Sequence, residues 1–240
     1  MSSAVMLELF SGTGSVGKAF ERLGWEVVSV DVSPKHNPTH CVDIRQFDYK
    51  NLYKHFDFVW GSPPCTEYSV ARTTATRPRD LAGADELVQL TKDIAAHFNC
   101  PFAFENPQSG LLKTREVVRG LPFTDTSYCK YGFPYRKHTR IWHNLGDWLL
   151  LAPICCKAYP CNHISLWKKH LKSAQRGPSK GSAHDKCTLD QLHSMPPALC
   201  DDVALAADLL LSINDARDTI NSHSDPPEQA QEGVVPNEGV

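Results

Sequence analysis

LELFSGTGSVG, residues 7–17, runs from an apolar stretch through a glycine turn directly into helical spacing, and that junction decides the fold. Residues 5–10 read as a short buried strand. Gly12 and Gly14 let the backbone turn sharply and lie against a ligand. Val16, Ala19, Phe20 and Leu23 then share one helical face over residues 15–23, and the start of that helix offers unpaired N–H groups. Gly24 ends the helix.

The same alternation continues outward. Residues 26–31 predict a second strand closing on Asp31, and residues 41–44 a shorter acid-tipped one. Residues 56–60 are apolar and lead into Ser62-Pro63-Pro64-Cys65. A helix is expected over 81–98, a buried strand over 101–104, and two more strands over 127–132 and 140–144. Strands alternating with helices predict an α/β fold with a doubly wound, mostly parallel sheet. The rhythm breaks at residues 145–190, where cysteines, prolines, histidines and lysines replace clean periodicity. Four regions are therefore expected: a catalytic and cofactor-binding core (1–144), a small insert (145–190), a helical return to the core (191–213, the helix over 196–212), and a polar tail without fixed structure (214–240).

At 240 residues the chain suffices for one α/β domain with a full core. It carries 25 Lys and Arg against 27 Asp and Glu, a formal net charge of −2, so no global basic field marks a nucleic-acid binder. Local stretches are basic, around Arg72, Arg77 and Arg79, at Arg136 to Arg140, and from Trp167 onward. MSSAVMLELF has no charged leader before a long apolar run, and no stretch approaches the length of a membrane span. An intracellular protein, cytoplasmic or nuclear, not secreted and with no membrane partner, is the expectation. Its nine cysteines are then not disulfide-bonded by default.

Several residues carry chemistry. Asp31, at the end of the second strand, is placed to bind ribose hydroxyls, and Asp43 to accept from an adenine amino group. Gly12, Gly14 and Gly17 also satisfy the dinucleotide spacing, so a nicotinamide oxidoreductase is an alternative from this motif alone. The cysteine loop argues against it. Two prolines stiffen the chain before Cys65 at the carboxyl end of a strand, where open α/β sheets bind ligands. A thiolate there can add to carbon 6 of a pyrimidine and make carbon 5 nucleophilic. Glu105, in FENP (104–107), can hold or protonate the ring nitrogen, and Arg140 can bind the ring carbonyl oxygen and orient Glu105.

Taken together, LELFSGTGSVG, SPPC, FENP and RKHTRIW (136–142) make the chain resemble the DNA cytosine-5 methyltransferases over residues 5–144 and the helix at 196–211. The resemblance implies a Rossmann-like class I methyltransferase fold, S-adenosyl-L-methionine as cofactor, and double-stranded DNA as partner, with Cys65, Glu105 and Arg140 catalytic. It implies a cofactor set of Phe10, Ser11, Gly12, Thr13, Gly14, Asp31, Val32, Asp43, Ile44, Ser62 and Pro63. Asn106, Arg72, Arg77, Arg136 and Lys137 are implied on the substrate side. Transfer to cytosine in transfer RNA is one alternative; an inactive or partner-dependent nucleic-acid-binding relative is another. The chain departs from the family in three places. Pro107 stands where valine is usual, His138 stands where the first arginine of Gln-x-Arg-x-Arg is expected, and HSMPPALC (193–200) replaces Gly-Asn-x-x-Pro.

The family's target-recognition region is usually much larger than residues 145–190. Lys168, Lys169, Gln175 and Arg176 are the expected DNA-facing residues of this reduced insert, lysine and arginine for phosphates and glutamine for a base edge. Cys155, Cys156, Cys161 and His163, with His184 and Cys187 beyond, are candidate zinc ligands, because a small insert with little core gains most from a metal staple. Their spacing is not a standard zinc pattern.

Overall fold

The computed structural model describes residues 3–52, 54–72, 76–164, 170–174 and 187–222. Seven strands form one sheet: β1 (Val5–Leu9), β2 (Glu26–Asp31), β3 (His40–Cys41), β4 (Phe58–Gly61), β5 (Phe102–Pro107), β6 (Phe123–Ser127) and β7 (His138–His143). Their order is β3-β2-β1-β4-β5-β7-β6. The first five pair in parallel and β7 lies antiparallel to both β5 and β6. The helices are α1 (Gly17–Arg22), α2 (Leu81–Phe98), α3 (Leu189–His193) and α4 (Pro197–Ser222). This is the doubly wound, mostly parallel α/β architecture of Rossmann-like methyltransferases. No helix of the described residues is long and apolar enough to cross a membrane.

Alternation along the central strands fills both faces. Met6, Phe58, Trp60, Ala103 and Ile141 pack with Phe20 of α1 and Leu199 and Val203 of α4. Leu7, Leu9, Val28, Val30 and Val59 pack with Ile94 and Ala95 of α2. Phe20 and Phe58 stack at 5.2 Å between centroids and are fully buried. Each such side chain contributes about 1.5–3 kcal/mol through burial. The predicted limits of α2 hold because both ends are capped: Asp80 accepts from the Gly83 N–H at 2.9 Å, and Asn99 turns left-handed at φ 51°.

Some local expectations change. Residues 127–132 are not a strand: β6 comes earlier, and Tyr128–Tyr131 form a 3₁₀ turn closed by Gly132 at φ 91°. The tyrosines that read as strand formers are turn residues whose rings face the core. The acid-tipped strand at 41–44 shrinks to β3, because Asp43 instead caps a 3₁₀ turn by accepting from the Arg45 N–H at 2.9 Å. Helix α4 runs past Ser212 to Ser222, so the start of the segment expected to lack structure is helical. The rest of that tail lies outside the described residues, as do 165–169 and 175–186 of the insert.

One buried charge stands out in the first strand. Glu8 is 3% exposed, on the Met6 face beneath the glycine turn. A Cβ on Gly17 would sit 2.6 Å from its Oε2, so only glycine lets α1 start this close. Burial pushes the Glu8 carboxyl up to about 7, partly offset by the backbone N–H groups of Gly17 and Val16. An acid held up in this way binds its proton more tightly folded than unfolded, so its contribution to stability falls as pH rises from 4.5 to about 7. Over that window Glu8 is expected to cost about 3 kcal/mol, and Glu8→Gln is expected to flatten the corresponding part of the curve. Urea unfolding of both proteins across the window checks this; parallel curves would refute it.

Candidate active site

The carboxyl ends of β1, β2, β4 and β5 open onto one cleft of about 390 Å³. That is within the ordinary range for a small-molecule site, roughly 300–1,000 Å³. Phe10, Ser11, Gly12, Thr13, Asp31, Val32, Asp43, Ile44, Ser62 and Pro63 all line it, as do Cys65 and Glu105. Gly14 shapes the turn without lining the cleft. Phe10, Gly12 and Gly14 have φ of 55°, 49° and 64°, a left-handed run that bends the backbone round the cleft floor. Nothing lies closer than 3.9 Å to where a Cβ would stand on Gly12 or Gly14, so the turn leaves room for a ligand. Asp31 braces it: its Oδ2 accepts from the Gly12 N–H at 2.9 Å and its Oδ1 from the Ser33 N–H at 2.7 Å.

The chain after the insert completes the cleft. Leu192, His193 and Met195 line it, although the sequence there lacks the family's usual motif. The Met195 N–H donates to Ser15 Oγ at 3.3 Å, tying this segment to the glycine turn. Two long-range contacts hold it: Tyr135 donates its hydroxyl proton to the Gln191 carbonyl at 2.7 Å, and Lys35 pairs with Asp190 at 2.6 Å. The proline-rich stretch gives no periodicity from which this placement could be read.

At the other end, Cys65 follows β4 on the Pro-Pro loop. The buried Asn106 side chain donates to the Pro63 carbonyl at 2.9 Å and fixes that loop to β5. Asn106 is 0% exposed and is therefore a brace inside the fold rather than a substrate contact. Glu105, 7% exposed, gathers three donors on Oε1: the Tyr128 hydroxyl at 3.2 Å, the Thr139 hydroxyl, and Lys137 Nζ at 3.5 Å. Lys137 also donates to the Tyr128 oxygen at 3.1 Å and lies over that ring. Burial pushes Tyr128 well up, and Glu105 adds to this, so it remains a phenol. Burial likewise pushes the Cys65 thiol up; Lys137 opposes this and Glu105 reinforces it, so both groups lie close enough to act on the sulfur.

Arg140 does not join them. In the β5–β7 pairing Glu105 faces Ile141 and Asn106 faces Arg140, so strand parity puts Thr139 on the Glu105 face and Arg140 on the other. There Arg140 makes a bidentate pair with Asp125 at 2.6 and 2.7 Å and stacks on Phe123 at 3.5 Å. The cation beside Glu105 is Lys137, which the resemblance implied only on the substrate side. Tyr128 was missed because it belongs to no recognisable motif, and Thr139 because RKHTRIW was read for its cationic positions only.

The other basic candidates are partly engaged. Glu67 pairs with both Arg72 and Arg77, and its backbone carbonyl accepts from Arg79. Arg136 is exposed. Lys168, Lys169, Gln175 and Arg176 lie outside the described residues. Of the expected metal ligands, Cys155 and Cys161 come together, but with Cys129 and His170. Cys156 and His163 are not in that group: Cys156, next to a buried cysteine in the chain, points to solvent.

A family model described as C-5 cytosine-specific DNA methylase matches residues 5–96. The chain is 32% identical over 191 residues to a Frog virus 3 (isolate Goorha) protein named "Probable DNA (cytosine-5)-methyltransferase", covering 73% of this chain and 81% of that one. It is 33% identical over 98 residues to the Type II methyltransferase M1.HphI of Haemophilus parahaemolyticus, covering 32% of this chain and 26% of that one. Among solved structures, a methyltransferase of Entamoeba histolytica is 17% identical with a TM-score of 0.44, covering 64% of this chain and 57% of that one. With its identity to the viral protein spread over most of both chains, this protein belongs to the C-5 cytosine-specific DNA methylase family.

Proposed function

We propose that this protein methylates carbon 5 of cytosine in DNA, with Cys65 adding to carbon 6 of an extruded base. The observation that carries the reading is that Cys65 and Glu105 line the same cleft as the glycine turn and Asp31. The viral relative's name favours DNA over transfer RNA.

The cleft suits S-adenosyl-L-methionine. Asp31 is placed for the ribose, Asp43 and Ile44 for the adenine, and the opened turn of Phe10 to Gly14 for the amino-acid end. When bound, it supplies an electrophilic methyl group on a sulfonium. The chain's own residues prepare the base. Cys65, held by the Pro63–Asn106 bond, attacks carbon 6 as a thiolate. Burial holds the thiol above its ordinary pKa, and the Lys137 charge opposes this and favours the thiolate. Glu105 Oε2 meets the ring nitrogen and the exocyclic amine, while Tyr128, Thr139 and Lys137 hold Oε1 and set the carboxylate's angle. Lys137 thus takes the orienting role read from the sequence for Arg140. The base must leave the duplex for carbon 6 to be reached. Arg136, on the exposed approach to Lys137, is suited to a phosphate.

Trapping on 5-fluorocytosine tests the chemistry and the substrate together. Double-stranded DNA carrying the analogue is expected to give a denaturation-resistant adduct that needs S-adenosyl-L-methionine, and transfer RNA is expected to give none. Cys65→Ala is expected to abolish the adduct and turnover while retaining cofactor binding. An adduct formed by that variant would overturn the mechanism, and an adduct on transfer RNA alone would overturn the substrate.

Lys137 and Arg140 separate cleanly. Lys137→Gln is expected to lower kcat by roughly 10²–10³, the range for loss of one preorganised electrostatic donor, and to slow alkylation of Cys65 at neutral pH. Arg140→Gln is expected to cost about 2–3 kcal/mol of stability through its lost charged hydrogen bonds to Asp125, with Cys65 alkylation unchanged. Kinetics, iodoacetamide labelling and denaturant unfolding distinguish the two; equal effects on labelling would refute the assignment.

A further inference from the structure

Past Leu145 and Leu149, which pack into the main core, the segment after β7 lies against the end of β6, where the Thr126 hydroxyl donates to the Ala152 carbonyl. The buried members of its cluster are Cys129, Cys155 and Cys161, with only Ile164 packed against them. Cys129 sits in the 3₁₀ turn after β6, Cys155 and Cys161 flank a loop of the insert, and His170 comes from its far side, where it bridges back to Ile164. The three sulfurs and an imidazole nitrogen all lie within 4.8 Å of one another. His170 Nε2 is 3.4 Å from Cys161 Sγ and 3.6 Å from Cys155 Sγ. Zinc ligands at about 2.3 Å (sulfur) and 2.1 Å (nitrogen), set tetrahedrally, stand about 3.6 Å apart.

We propose that Cys129, Cys155, Cys161 and His170 form a closed, structural zinc site that staples the insert to the turn behind the active-site carboxylate. Three thiolates and one imidazole select a borderline-soft cation. All three cysteines are buried, and a four-ligand set leaves no coordination position for chemistry, which makes the role structural. The supporting bonds fit that role. The Cys155 N–H donates to Ser127 Oγ at 3.0 Å, and that hydroxyl also contacts His138 Nδ1 at 2.7 Å. Lys130 Nζ donates to the Pro160 carbonyl at 2.9 Å, bringing a cation to the loop between two ligands of a centre that would carry a net −1 charge. The alternative for three crowded thiols is a disulfide, which would leave one sulfur and the imidazole without use.

The position matters for the cleft. Cys129 directly follows Tyr128, whose hydroxyl donates to Glu105, so the metal would hold the turn from which that donor projects. The site stands on this geometry alone and does not depend on the nature of the methyl acceptor.

Full-length protein, produced with zinc in the medium and purified in reducing buffer without chelator, is expected to carry one zinc per chain by elemental mass spectrometry. Cys129→Ser and His170→Ala are expected to reduce this to near zero, whereas Cys156→Ser and His163→Ala are expected to keep it. Should the ligand variants fail to fold, the wild-type protein still decides. Mercurial titration of its thiols is expected to release the zinc into a metallochromic indicator, and cobalt exchange is expected to give the absorption of a tetrahedral three-sulfur centre. A metal-free protein with freely reactive thiols would overturn the proposal. So would a disulfide among Cys129, Cys155 and Cys161 under reducing conditions, or zinc retained in folded Cys129→Ser and His170→Ala.

Discussion

The hydrogen bond from the buried Asn106 amide to the Pro63 carbonyl joins two parts of the chain that must be held together for the site to exist. On one side of it is the loop that carries Cys65; on the other is the strand that carries Glu105. Parallel pairing of β4 with β5 brings these segments alongside, since Gly61 is in register with Phe104. Pairing alone ends where the strands end. Beyond Gly61 the two prolines restrict the loop's torsions, and the Asn106 bond supplies the remaining constraint. A thiol and a carboxylate lining one cleft are then both held by the fold rather than carried on a flexible tip.

Strand parity is the second constraint. Side chains alternate across a sheet, so a register shift of one residue would exchange Arg140 for Thr139 beside Glu105. The observed register places Thr139 and Ile141 on the active face and sends Arg140 to Asp125, where a bidentate pair and the Phe123 ring hold it. Lys137, just before β7 begins, is the cation that remains near both Glu105 and Cys65. A flexible ammonium in place of a rigid guanidinium makes a less directional clamp, and the Tyr128 and Thr139 hydroxyls share the work of orienting the carboxylate.

The C-terminal segment and the insert are built differently from the core. The segment before α4 reaches the cleft through point contacts such as Met195 to Ser15 and Tyr135 to Gln191. The insert, similarly, is tied to β6 through polar contacts and the Cys129, Cys155, Cys161 and His170 cluster. Around Cys129, Cys155 and Cys161 only Ile164 adds apolar packing, which is why a metal centre is physically apt in the insert and would be superfluous in the sheet.

From sequence alone, the α/β architecture, the limits of α2, the glycine turn, and the strand-end positions of Asp31, Cys65 and Glu105 that bring them to one cleft were legible. These rest on local signals: periodicity, caps, glycine and proline chemistry, and residue types that have few other uses at strand ends. Lys137 in place of Arg140 was not legible, because which side chain faces a neighbour across a sheet depends on register. Register here is set by the packing of Phe104 on Trp142, 5.4 Å apart, and their surroundings rather than by any motif in RKHTRIW. Nor were Tyr128 and Cys129, since their segment resembles a strand and becomes a turn only where Gly132 reverses the chain. The proposed metal ligands show the same divide. The sequence showed cysteines and histidines in a core-poor insert, but the partners of Cys155 and Cys161 come from residue 129 and residue 170, and only the folded chain brings those together.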